Sequence, residues 1–102
     1  MKIYNKLVRD KIPEIIKNQG KMPKLKKLDG KEYFDALNQK LKEELDEYFE
    51  DYSIEELTDV MEVIYAIIKY NGLSIDEFEE IRRNKLDERG EFNDRLLLID
   101  VD

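Results

Sequence analysis

The chain has 102 residues, of which 25 are acidic and 18 basic, giving a net charge of −7 and room for one small folded domain under a highly charged surface. It contains no cysteine and no histidine, which excludes disulfides, thiolate chemistry, the commonest zinc ligand and the commonest general base, so any metal must be a hard cation held by carboxylates. The negative balance argues against nucleic-acid binding. The lack of a signal-like or spanning apolar run predicts a cytoplasmic protein with no membrane contact.

In chain order, residues 1–9 form a short lead-in with Ile3, Leu7 and Val8 available for packing. Residues 10–19 predict a short helix, with Asp10 at its start, an early Pro13 and Gly20 after its end. A basic loop with the second proline follows. Asp29 and Glu32 form a capping box that opens a long helix running to about Asp51. Ser53 and Glu56 form another, opening a third helix that ends at Asn71-Gly72. Ser74 and Glu77 open a fourth, which ends at Gly90. The tail carries an apolar run, Leu96 to Ile99, suited to a short extended segment or a docked end. These elements predict an all-α fold: a small helical bundle built on an antiparallel helical hairpin, residues 1–102 as one domain.

The acids are not equivalent on these helices. In the long helix Phe34, Leu37, Leu41, Leu45 and Tyr48 make one apolar stripe. Glu43, Asp46 and Glu50 project to the opposite, solvated side, whereas Glu44 lies at the stripe's edge and Glu47 follows on the same border. In the third helix Glu56 projects between Val60 and Val63, inside the apolar face, and Asp59 follows it. Each helix therefore presents a carboxylate pair at i, i+3 toward its packing face. Glu32 shows the contrasting case, because it faces away from its helix's stripe.

Only a residue or two around Tyr52 separates the two helices, which predicts a tight antiparallel turn. At about 1.5 Å per residue, Glu47 and Glu56 lie roughly 5–6 Å from the turn, and Glu44 and Asp59 roughly 9–10 Å from it. The pairs then face each other. Four converging carboxylates repel unless protonated or bridged by a cation. The set suits an oxygen-ligand divalent metal, Mg²⁺, with Mn²⁺ as a substitute. Taken singly, each acid is also a solvated surface charge, and Glu56 is also a cap.

On the fourth helix Phe78 and Ile81 face the bundle, and Arg82, Lys85 and Arg89 continue that face in steps of four. They either complement the helix dipole or look toward the acids. Near the N-terminus, Asn5, Lys6, Arg9 and Lys11 form a solvated lead-in or a second group of polar contacts.

The segment "EELDE" (Glu43, Glu44, Glu47) followed by "ELTD" (Glu56, Asp59) resembles the EExxE…ExxD signature of the MazG-like, all-α nucleoside triphosphate pyrophosphohydrolases. The opening "YNKLVRDKIPEII" and the later "NKLDERGEF" are similar to flanking motifs of a short branch of that superfamily, so the likeness runs from Tyr4 to about Asp102. The chain departs in two places: the interval from Glu47 to Glu56 is short, and Glu91 stands where a second glycine is common. The resemblance implies that Glu44, Glu47, Glu56 and Asp59 bind Mg²⁺, with Glu43 outside the ligand set. It also implies that Lys85, Arg89 and Arg82, with Asn5, Lys6, Arg9 and Lys11, serve the substrate.

The implied reaction is hydrolysis of a nucleoside triphosphate to the monophosphate and pyrophosphate, a house-cleaning role if the base is damaged or modified. Water attacks in line, and its proton goes to a carboxylate, for which Glu47 is the choice, or to a hydroxide held by the metal. Family likeness further implies a homodimer or a higher homo-oligomer, and Met61 and Ile68 are expected to need a cover. The competing expectations are a non-catalytic helical interaction module and a metal-binding protein without turnover.

Overall fold

In a computed structural model, described for residues 2–102, the chain is all-helical: α1 (Ile12–Asn18), α2 (Gly30–Asp51), α3 (Ile54–Tyr70) and α4 (Ile75–Arg89). Local chemistry sets most of the boundaries. Pro13 sits in the first turn of α1, and the helix closes with Gly20 at positive φ, its N–H on Lys17 O at 2.9 Å and that of Lys21 on Ile16 O at 3.3 Å. The same closure ends α3, where Gly72 donates to Lys69 O at 3.0 Å and Leu73 to Ile68 O at 3.3 Å. Ser74 and Glu77 make a complete reciprocal capping box at the start of α4.

Two of the expected starts differ. α1 begins at Ile12 with Lys11 as its N-cap, so Asp10 lies in the preceding turn. Asp29 is the N-cap of α2 but makes no side-chain cap bond, and Glu32 is drawn to Lys26 Nζ at 2.8 Å instead of back to the backbone. An available cation thus competes successfully with the cap.

The hairpin turn is Tyr52-Ser53. Tyr52 adopts the left-handed conformation (φ 57°, ψ 28°), and its N–H still reaches Tyr48 O at 2.6 Å. Asp51 Oδ1 then accepts the N–H of Ser53 at 3.0 Å, which stitches the turn to the next helix. α2 and α3 run antiparallel and pack along their length. At the open end of the hairpin, Tyr70 stacks on Phe34 with ring centroids 5.0 Å apart and meets the edge of Tyr33 at 5.9 Å.

Leu37 of α2 with Val60, Val63 and Ile68 of α3 form the buried centre of this pair. Ile68 is therefore covered within the chain, contrary to expectation, whereas Met61 is exposed as expected. α4 rests lightly on α3 through its first half. The apolar run Leu96 to Ile99 forms neither a strand nor a docked end; it is exposed and without regular structure. Among the described residues no helix is long and apolar enough to cross a membrane.

Candidate metal and phosphate site

The hairpin brings Glu44, Glu56 and Asp59 together, with one carboxylate oxygen of each within 4.8 Å of the others. Glu44 projects from the middle of α2 into the helix interface and is only 7% exposed. Its Oε1 pairs with Lys40 Nζ at 3.2 Å, one turn earlier on the same helix, while its Oε2 is buried without any partner. Glu56 Oε2 is buried and unpartnered as well. Glu47 is outside this tight set, but its charge acts on the Glu44 carboxyl.

Glu56 answers the ambiguity of the Ser53 start. Its backbone N–H donates to Ser53 Oγ at 3.3 Å, so the cap is made by the serine alone. The carboxylate does not return to the Ser53 N–H, which Asp51 already holds, and turns inward, where its Oε2 is buried. Burial pushes the Glu56 carboxyl above the usual carboxylate range, and the charges of Asp51, Asp59 and Glu44 push it further the same way. Glu44 is raised too, chiefly by burial and by Glu47, against the opposing pull of Lys40.

The lead-in lies along the acidic border. Lys6 Nζ meets Glu43 Oε1 at 3.1 Å, and Arg9 Nη2 meets Asp59 Oδ1 at 2.6 Å. Glu43 is consequently part-buried and paired, not solvated as its helix phase suggests, whereas Asp46 and Glu50 are exposed as expected. Asn5, at φ 47°, lines a small hollow with Lys6, Gln39 and Lys40 beside these acids. Lys11 is exposed at the start of α1.

The basic residues of α4 are not brought to the acids. Arg82 folds back on Glu79 at 2.8 Å, and Lys85 and Arg89 are exposed without an ion pair among the described residues. Lys40 is a neighbour of these acids that helical phasing overlooked. Its signal was available, because Lys40 and Glu44 are four residues apart and therefore stand one above the other.

The donor set fits a hard divalent cation: oxygen ligands only, with two buried carboxylate oxygens that have no other partner. Comparisons of the chain with protein-family models, with curated proteins and with solved structures found no match.

Proposed function

We propose that the protein is a Mg²⁺-dependent nucleoside triphosphate pyrophosphohydrolase. The observation that supports this reading best is the convergence of Glu44, Glu56 and Asp59 across the hairpin, with two of their oxygens buried and unpaired. Unpaired buried carboxylates are expensive to keep without a counter-ion, and a triphosphate substrate arrives with the cation that they need.

Glu44, Glu56, Asp59 and the adjacent Glu47 would hold Mg²⁺, with Mn²⁺ as a substitute. When bound, the ion supplies neutralisation of phosphate charge and polarisation of the phosphorus under attack. Lys6 and Arg9, which border the acids through Glu43 and Asp59, neutralise the remaining phosphate oxygens. Glu47 takes the proton of the attacking water, since no histidine competes for that task. The products are a nucleoside monophosphate and pyrophosphate. Likeness to the MazG-like proteins also supports a homo-oligomer.

The test is product analysis over a panel of nucleoside triphosphates. Pyrophosphate, formed only with Mg²⁺ or Mn²⁺, is the expected product from at least one of them. Orthophosphate alone, or turnover undiminished by chelator, would overturn the reading.

A further inference from the structure

The C-terminal fifth of the chain, the end of α4 and the tail, is almost wholly exposed. From Ile81 to Asp102 only Leu86 is even partly sheltered. Phe92 is 96% exposed and Leu96 to Ile99 are between 79% and 88% exposed. Beyond Arg95, whose N–H reaches Phe92 O, the backbone forms no hydrogen bond with the rest of the backbone among the described residues. Such a row of Leu, Ile and Val with free backbone groups is suited to pairing with another chain.

The shape of the molecule carries the same message in numbers. A folded monomer of 12.3 kDa is expected to expose about 6,100 Å². This chain exposes 9597 Å². The radius of gyration is 18.0 Å, against about 13 Å for a compact domain of this length. The surplus, on the order of 3,500 Å², exceeds the roughly 1,000–2,500 Å² that each chain hides in an obligate homodimer. A second copy has the matching need, because Met61 on α3 and Phe49, Tyr52 and Ile54 at the hairpin turn are themselves exposed apolar groups.

We propose that residues 81–102, the end of α4 and the tail, form an arm that docks on a second copy of this chain. The arm deepens the homo-oligomer put forward above by naming its surface, and rests on that part of the reading alone. Its burial removes the surplus surface from water and supplies the packing that the small α2–α3 centre lacks.

The test is sedimentation equilibrium of the full chain beside Leu97→Asp/Ile99→Asp, with circular dichroism melts of both. Wild type is expected to sediment as a dimer or larger assembly, with a Tm that rises with concentration. The double variant is expected to be monomeric or to lose its helix together with assembly. Either result supports the arm, because in an isolated chain these two side chains touch solvent, and changing them would not unfold it. A wild type that stays monomeric at every concentration overturns both the oligomer and the arm. An assembly unchanged in the double variant overturns the arm alone and leaves the oligomer standing.

Discussion

Lys40 reaches two neighbouring acids, Glu43 at 3.5 Å and Glu44 at 3.2 Å, yet their acidities move in opposite directions. Burial pushes Glu43 up, but the hydrogen bond from Lys6 and the charges of Lys40 and Lys6 outweigh it, and the net shift is downward. Burial also pushes Glu44 up, and there Glu47 helps it to prevail over Lys40. Glu44 is thus the acid in want of a cation, and Glu43 already has two. Isothermal titration with Mg²⁺ is expected to show Glu44→Gln without measurable binding and Glu43→Gln near wild type. The Glu43 change gives up only part-exposed ion pairs, a loss of about 0.2–1 kcal/mol in stability. The pH dependence has a definite sign. Glu44 is raised above the ordinary 4.5, so the folded chain holds its proton more tightly than the unfolded one. Its stabilising contribution is complete below about 4.5 and is lost as the pH rises through the raised value. In chelator, Glu44→Gln is therefore expected to gain on wild type at pH 7 and to give up that advantage as the pH falls toward 4.5. Urea midpoints at both ends of that range measure it, and an advantage that grew on acidification would mean that Glu44 is not the strained acid.

At the scale of the elements, all four helices start with a polar residue, but only two of those side chains, Ser53 and Ser74, act as caps. Ser53 accepts the N–H of Glu56 at 3.3 Å and Ser74 that of Glu77 at 3.0 Å, while Asp29 accepts nothing. Ser53→Ala and Ser74→Ala are each expected to cost about 1 kcal/mol in urea unfolding, and Asp29→Ala to stay within about 0.5 kcal/mol of wild type. Equal losses at all three would show that the cap at α2 forms in solution. The same contrast explains what was legible in the sequence. Capping patterns and apolar spacing are local, and they placed α2, α3 and α4 within a residue or so. Glu44, Glu56 and Asp59 were also legible, because a two-residue turn fixes how two adjacent helices meet. Glu43 was misplaced because helical phase describes one helix and is blind to the Lys6–Arg9 segment lying across it. Ile68 was misjudged for a related reason, since its cover comes from the tertiary arrangement and not from its own helix. The expected approach of Arg82, Lys85 and Arg89 to the acids extended a face of α4 beyond the half that packs. Phe78 is half-buried, but Ile81, one turn on, is already exposed, so the face has no partner to point at.

For the molecule as a whole, the acidic set sits where the hairpin packs. The net charge is −7, the buried apolar centre is small, and the facing acids bring like charges together at the one extensive helix contact among the described residues. Without a cation that cluster opposes the hairpin; a bound cation would make it a crosslink between α2 and α3 that only the folded chain assembles. Glu56 is the residue that separates this account from a purely structural one. Its cap is made by Ser53 and its own N–H, both of which survive replacement of the carboxylate by an amide. Three acids, Asp51, Asp59 and Glu44, add to the burial that disfavours its charge, so Glu56→Gln removes repulsion when no metal is present. In chelator the variant is expected to melt at or above the wild-type temperature. On addition of Mg²⁺ wild type is expected to gain, and the variant to gain less, because one ligand has been weakened to a neutral oxygen. Thermal melts of the two proteins in both conditions decide the matter. A variant that is destabilised to the same extent with and without Mg²⁺ would return Glu56 to the role of a helix start and remove the cation from the account of the hairpin. A crossover, with the variant ahead in chelator and behind in Mg²⁺, would tie the charge of Glu56 to the ion, since no contact within the chain reverses its sign with the metal.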